Sequence, residues 1–518
     1  MIKDIQLTVL PQKVQDETLL RQEIARKLDV HTNDITTFRI RKKSIDARQR
    51  DIKINLWVTV YLGEQPSKDT EFRPDYKNVA SKAPVIVVGS GPAGLFAALR
   101  LIELGRKPIV LERGKDVSSR KRDIALLNRE HLVNPESNYC FGEGGAGTFS
   151  DGKLYSRSNK RGNIDRILQI FHFHGAQDEI LYESHPHIGT DKLPEIIKNM
   201  RQTIIDCGGE MHFNTRLTDL IVQDDTIKGV LTSAGSAIAC DTVILATGHS
   251  ARDVYELLHE KKIHLESKPF AMGVRVEHPQ ELIDSIQYHT KSRGNYLPAA
   301  SYSLVAQADG RGVYSFCMCP GGYIVPSATS PDEMVVNGMS SSRRHTPFAN
   351  SGIVVEIRPE DFVHYTQHGS LAGLRYQQNL EQLALRNGGP GQTAPAQRLT
   401  DFVKGKLSAT LPTSSYIPGL MSSPLHAWLP DNISKRLQLG FTLFDKKMHG
   451  FLTNEAYIAG VESRTSSPVR IPRETESLEH PQIKGLYPCG EGAGYAGGIV
   501  SSAMDGENAA IACTKTNI

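Results

Sequence analysis

The clearest periodicity in the chain lies between residues 52 and 62. There Ile52, Ile54, Leu56, Val58, Val60 and Leu62 alternate with Lys53, Asn55, Trp57, Thr59 and Tyr61. A period of two buries one face of a sheet, so this segment reads as a strand. DIQLTVL (4–10) reads as a second strand, and Leu20, Ile24 and Leu28 fall at helical spacing over Asp16–Leu28. A polar stretch, 63–84, follows as a linker, so that residues 1–80 form a small α+β unit with its linker. Between the strands lies RIRKKSIDARQR (39–50), with six basic residues and one acid, expected as a solvated loop or exposed strand face.

At residue 83 the pattern changes. Val85 to Val88 is a short continuous apolar run suited to a strand covered on both faces, Pro92 to Leu104 is an Ala- and Leu-rich helix, and Ile109 to Leu111 is a second parallel strand. This βαβ unit opens a doubly wound α/β domain. Leu193 to Cys207 reads as a helix, 212–241 as a short antiparallel meander, and Thr242 to Ala246 as a further buried strand. From 251 to 464 strand-like runs mix with a helix near Gly373 to Arg386 and a Gly/Pro loop at 387–395. The last 50 residues return to a glycine-rich α/β pattern. The expected fold is α/β: a Rossmann-type domain from 81–250 and 465–518, an inserted mixed α+β substrate or cap domain at 251–464, and the small N-terminal unit.

Composition narrows the class. The 518 residues carry 60 basic and 57 acidic side chains, a net charge of +3, and the N-terminal unit (15 basic, 12 acidic) accounts for that excess alone. Nucleic acid is therefore not an expected partner of the chain as a whole. No apolar run approaches the length of a membrane span and no signal pattern opens the chain, so a cytoplasmic location without membrane is expected. Seven cysteines with no CxxC pair indicate neither a disulfide framework nor a metal site.

The glycines carry the chemistry. GSGPAG (89–94) stands between strand and helix. Gly89 serves the tight turn, Gly91 the approach of backbone amides to a pyrophosphate, and Gly94 the helix–strand packing, with Pro92 and Ala93 at the helix start. Glu112, followed by Arg113, ends the second strand, where a carboxylate accepts hydrogen bonds from ribose hydroxyls. A second cluster, FGEGGAGTFSDGKL (141–154), bares the backbone at Gly144, Gly145 and Gly147 and interleaves Thr148, Ser150, Asp151 and Lys153. ILATG (244–248), with Thr247 and Gly248, and GLYPCGEGAGYAGGI (485–499) complete the set. These last two resemble the closing turn and C-terminal strand of the glutathione-reductase-like and succinate-dehydrogenase-like FAD oxidoreductases. The resemblance implies FAD, with Gly490 and Glu491 near the ribityl chain. It also implies that the helix opening at Gly498 and Ile499 lies near the pyrimidine end of the flavin.

Six further segments are similar to a bacterial family of uncharacterised FAD-dependent dehydrogenases: GEGGAGTFSDGKL, KPFAMGVRVEHP (268–279), FCMCPGGYIV (316–325), NGMSSSR (337–343), ESRTSSPVRI (462–471) and KSIDAR (43–48). That resemblance covers essentially the whole chain and implies FAD-dependent oxidoreduction without naming a substrate. No second GxGxxG follows a predicted strand after residue 115. Electrons are thus expected from a small-molecule substrate, from NAD(P)H held without a second Rossmann domain, or from a protein donor. His249, directly after the ATG turn, is the candidate acid–base residue, and Arg275 and Arg464 are candidate anion anchors, with His278 and Arg343 beside them in the same motifs. Cys317 and Cys319 are a candidate redox pair. In an extended strand, however, residues i and i+2 stand roughly 6.6 Å apart, at the edge of disulfide geometry. Only the turn at 320–322 would bring them closer, so packing or ring-contact thiols are the expectation. Two other classes stay open: an RNA-acting flavoprotein using 39–50, and a flavin redox sensor that recruits a partner through the N-terminal unit.

Overall fold

The computed structural model describes residues 1–49, 51–66, 72–155 and 162–515. Part of the expected linker (67–71) and Arg50 of the basic stretch lie outside the described residues.

In the N-terminal unit the strands Ile2–Val9, Lys53–Leu62 and Ile35–Asp46 pair antiparallel in that order. The helix Glu17–Leu28 lays Leu20 and Ile24 against Ile54, Leu56, Val58 and Val60. Most of the basic stretch is the outer strand; the stretch is exposed at Arg41, Lys42 and Arg48 and tied to the rest of the molecule at Lys43. Lys43 exchanges backbone hydrogen bonds with Tyr182 and Ser184 and pairs with Glu183 at 2.8 Å, while Arg48 pairs with Asp46 at 2.7 Å.

The central sheet is wholly parallel, in the order Leu486–Pro488, Val243–Leu245, Pro84–Val88, Lys107–Leu111 and Glu210–His212. Its strands are far apart in sequence, so Leu486–Pro488 lies in the same layer as Pro84–Val88. Val85, Ile86 and Val87 are sealed on both sheet faces, which explains their unbroken apolar run. The helix Pro92–Glu103 covers one face and packs directly on the C-terminal helix Ile499–Lys515. Those two backbones touch: a Cβ added at Gly506 would lie 2.0 Å from the carbonyl oxygen of Ala93.

The inserted region forms a seven-stranded mixed sheet in the order Val305–Ala308, Arg311–Cys319, Phe348–Ile357, Phe270–Pro279, Tyr457–Glu462, Ala394–Arg398, Leu420–Ser422. Its central strand, Phe270–Pro279, is buried along nearly its whole length. Met272, Val274 and Val276 enter the largest apolar core, with Phe441 and Phe444 of the helix Asp431–Lys447. Arg275 and Glu277 alternate with them and so face the opposite side, which is polar inside. The hairpin Gly322–Pro326/Val336–Ser340 lies against that face, where a Cβ added at Gly338 would be only 2.4 Å from Nη1 of Arg275. Among the described residues no helix is long and apolar enough to cross a membrane.

The helix contact yields a direct expectation. Gly506→Ala forces the two helices apart and should destabilise the protein by about 1–3 kcal/mol in denaturant unfolding. An unchanged midpoint would mean that the helices slide without cost.

Candidate functional site

The carboxyl ends of the parallel strands carry the glycine segments, and they converge there. After Pro84–Val88 the chain turns at Gly89, whose φ of +101° excludes other side chains and whose added Cβ would meet the Ala246 carbonyl at 2.4 Å. An added Cβ at Gly94 would lie 1.8 Å from the Gly89 carbonyl oxygen. These two glycines are required by the protein itself. Gly91, Gly497 and Gly498 are different. Gly91 has φ −70° and, among the described residues, only Gly145 near its Cβ position, at 3.8 Å; at Gly497 and Gly498 no atom of the described residues lies within 4 Å, and neither has a positive φ. Neither backbone conformation nor protein packing demands glycine at these three positions. They leave bare backbone facing open space at the N-termini of the helices Pro92–Glu103 and Ile499–Lys515, where amides and helix dipoles favour anionic or electron-rich groups.

The 141–154 loop lies across both helix starts. Gly144 donates to the Ser90 carbonyl at 2.9 Å; added Cβ atoms at Gly145 and Gly147 would lie 3.0 Å from Gly91 and 3.3 Å from Ile499. Its polar side chains mostly hold the loop. Thr148 donates to the Glu143 carbonyl and Ser150 to the Gly147 carbonyl. Burial disfavours the Asp151 charge, but Lys153 and Arg344 hold its carboxyl down at about 2, and it also accepts from Ser340. Arg120, fully buried, donates to the carbonyls of Asn138, Tyr139 and Glu143 and fixes the loop from beneath. Glu112 accepts from Ser90 N, Ser90 Oγ, Gly114 N and Gly142 N at 2.7–3.0 Å. Its carboxylate therefore ties three loops together, and a ribose hydroxyl at this position would compete with the Ser90 hydroxyl. Arg113 is held by Glu136 and Asp253, each at 2.9 Å, with its guanidinium over Phe141.

Four segments meet in a cleft beyond these loops. His249 follows Gly248, and its Nε2 lies 3.5 Å from Oε2 of Glu491, which follows Gly490. The Gly490 N–H is itself fixed by Asp505 at 2.7 Å. Lys153 ends the glycine loop and reaches the Met318 carbonyl, with its Nζ 3.9 Å from the sulfur of Cys317 and 4.0 Å from that of Cys319. Lys153, Glu491 and His249 keep 36%, 30% and 13% of their side-chain surface accessible. These partly open side chains, with Cys317 close enough for its charge to act on Glu491, define the cleft. Burial, helped by the positive charges of Arg464, Arg252 and Lys268, pushes His249 down to about 4, so it is neutral at pH 7. Burial, with the charge of Cys317 nearby, pushes Glu491 up to about 7.

The arginine anchors need correcting. Arg464 is buried and donates from all three nitrogens, to Glu381, Thr329 and Glu333, at 2.7–3.1 Å. Arg252 reaches the same Glu333 and Glu381, so two cations face two carboxylates under the His249 turn. Arg275 donates to Glu462 at 2.9 Å, to Asn350 at 3.3 Å and to the Cys317 carbonyl at 3.2 Å, and is wholly buried. Both guanidinium groups are buried and engaged at every nitrogen by protein acceptors, so neither stands open as an anchor for a substrate anion. His278 is also sealed, bound to the Phe451 carbonyl at 2.8 Å, and Arg343 points to the surface while its neighbour Arg344 grips Asp151. Arg120 and Arg344 escaped the sequence reading, since an arginine bound to loop carbonyls or to one distant carboxylate leaves no spacing signature.

Comparison with known proteins settles the family. Residues 84–124 match the FAD binding domain family, 269–465 match the family described as FAD-dependent protein, C-terminal domain-like, and 1–61 match a domain of unknown function. A Clostridium beijerinckii protein described as uncharacterised is 42% identical over 510 residues, 95% of either chain. The chain belongs to this family of FAD-dependent proteins. FAD is its cofactor, as the bare amides of Gly91, Gly497 and Gly498 fit. More distant relatives of this FAD-dependent protein match over about a third of it. The tRNA uridine 5-carboxymethylaminomethyl modification enzyme of Alkaliphilus metalliredigens is 28% identical over 167 residues, 32% of this chain and 24% of that one. The thiamine thiazole synthase of Aeropyrum pernix is 26% identical over 185 residues, 33% and 56%. Among solved structures, CtdE in complex with FAD aligns over 83% of this chain and 84% of its own at 14% identity and TM-score 0.32. L-proline dehydrogenase from P. horikoshii aligns over 84% and 94% at 12% and 0.33.

A methyl group at Gly498 of this FAD-dependent protein meets nothing in the protein itself. Gly498→Ala should leave the unfolding midpoint of the FAD-free protein within about 0.5 kcal/mol of the parent. It should nevertheless weaken FAD retention at least tenfold in a fluorescence titration. Equal FAD affinity would place the cofactor away from this helix start.

Proposed function

We propose that this FAD-dependent protein is an oxidoreductase, a dehydrogenase that takes a hydride from a small-molecule substrate, and that the His249–Glu491 pair handles the accompanying proton. The observation that carries this reading is the pair itself: a neutral imidazole and a carboxyl tuned to about 7, 3.5 Å apart and both accessible from the cleft between the glycine loops. When bound, FAD supplies a two-electron acceptor at flavin N5. His249 Nδ1 is sealed without a partner among the described residues, and Nε2 is the ring nitrogen that meets Glu491 and the cleft. A proton leaving a hydroxyl or amine in the cleft reaches Nε2 or Glu491 directly, and it rests on Glu491, the more basic of the two. Burial, reinforced by Arg464 and Arg252 beneath the turn, keeps His249 neutral and therefore able to accept. The cap domain supplies the far wall of the cleft through Cys317 and Met318, which makes it the element that selects the substrate. NAD(P)H or a protein donor is the alternative source of electrons.

The substrate is found by anaerobic mixing of the yellow protein with NADH, NADPH and a panel of hydroxy and amino acids, followed by bleaching of the flavin absorbance. With the active donor, the titratable groups facing Glu491 are His249, neutral at pH 7, the Cys317–Lys153 pair, and Tyr255, a neutral phenol. Because the carboxylate is the accepting form, flavin reduction should speed up as pH rises through about 7. Glu491→Gln should retain FAD, lose that limb and slow reduction by about 10²- to 10⁴-fold. An unaltered profile in both Glu491→Gln and His249→Ala would refute the assignment.

A further inference from the structure

The strand Arg311–Cys319 does not run straight to its end. Phe316 pairs with Gly352 and Cys319 with Asn350, so three steps on one strand answer two on the other. This is a one-residue bulge. Cys317 sits in it with φ +46°, a left-handed conformation uncommon for a residue other than glycine. The expectation of an extended Cys-x-Cys segment, with only the following turn able to draw the sulfurs together, is thereby corrected: the bulge lies in the strand itself. The Cys319 thiol donates to the Cys317 carbonyl at 3.3 Å. Arg275, clamped by Glu462, donates to that same carbonyl and so holds the bulge. Gly338 leaves room for this clamp, since a Cβ there would lie 2.4 Å from Nη1 of Arg275. Lys153 stands within 4.0 Å of both sulfurs. Cys317 is partly accessible from the cleft and Cys319 is sealed behind it.

We propose that Cys317 and Cys319 are a redox-active dithiol that exchanges two electrons with FAD, Cys317 being the sulfur that faces the cleft and Cys319 the resolving one. Hydrogen bonding from Cys319, aided by Lys153 and Arg275, draws the Cys317 thiol well below its ordinary range, while Cys319 is pushed up and stays protonated. The step balances. The Cys317 thiolate and Cys319 thiol lose two electrons, an S–S bond forms, and the Cys319 proton is released. The electron pair and one proton pass to FAD, which is reduced by two electrons; the reverse step breaks the S–S bond. The second substrate of such a centre belongs to the class of thiols and disulfides. The proposal rests on the flavin ring lying at this cleft and is independent of the proton chemistry assigned to His249 and Glu491.

The test is an electron count on the holoprotein. After mild oxidation with diamide and removal of the reagent, anaerobic dithionite titration should consume four electrons per FAD in the parent. It should consume two in Cys317→Ser and in Cys319→Ser. Alkylation of the unreduced parent, followed by digestion and mass measurement, should find the peptide containing residues 317 and 319 unalkylated and disulfide-linked. Two electrons per FAD in the parent, or full alkylation of both thiols after oxidation, overturns the proposal. The mass measurement on the parent chain keeps the test decisive even if a serine variant fails to fold. An unaltered pH profile in the Glu491 variant would leave the electron count unaffected, so the two readings fail separately.

Discussion

One buried carboxylate gathers the cofactor end of the parallel sheet. Glu112 receives four hydrogen bonds, from the first glycine turn, from the turn after its own strand and from the start of the 141–154 loop. Hydrogen bonds to a charged group contribute about 1.5–3 kcal/mol each, so this junction outweighs any single apolar contact nearby. Everything downstream inherits its position. With Gly142 fixed, Arg120 can fill the space beneath, Gly145 can lie on Gly91, and the loop leads Lys153 to the far side of the cleft.

The second joint is ionic. Arg252 stands at the start of the helix Arg252–Glu260, Glu381 on the helix Ala372–Arg386, and Arg464 just beyond the strand Tyr457–Glu462. Their mutual pairing, with Glu333, binds the inserted domain to the turn that carries His249. Buried pairs of this kind add little net stability when intact, but losing one partner costs about 3–5 kcal/mol. Here they do chemical work as well, because the two guanidinium groups disfavour a proton on His249. The two arginines of this joint thus reinforce what burial already does to His249.

The sequence made the glycine scaffold legible because glycine is demanded locally, by a positive φ at Gly89 or by contact distance at Gly94. The first βαβ unit and the N-terminal strands were readable for a similar reason: their periodicity is complete within ten residues. Partnerships across the chain were not readable. Arg464 meets carboxylates 83 and 131 residues away, and nothing in ESRTSSPVRI separates an ion-pair arginine from an anion anchor. The Cys317 bulge depends on register against Phe348–Ile357, which no local pattern encodes. The helix Val117–Glu130 went unassigned because its sequence, VSSRKRDIALLNRE, is mostly polar and offers few apolar positions at helical spacing.

The central claim is that one cleft, bounded by His249, Glu491, Lys153 and the bulged Cys317, receives the flavin ring. A crystal structure of the FAD-bound protein tests it most directly. The account predicts the pyrophosphate on the amides at the start of Pro92–Glu103, and the isoalloxazine edge within roughly 4 Å of at least one atom of each of those four residues. A ring bound with Lys153 and Cys317 on a separate surface, out of its contact, would contradict it.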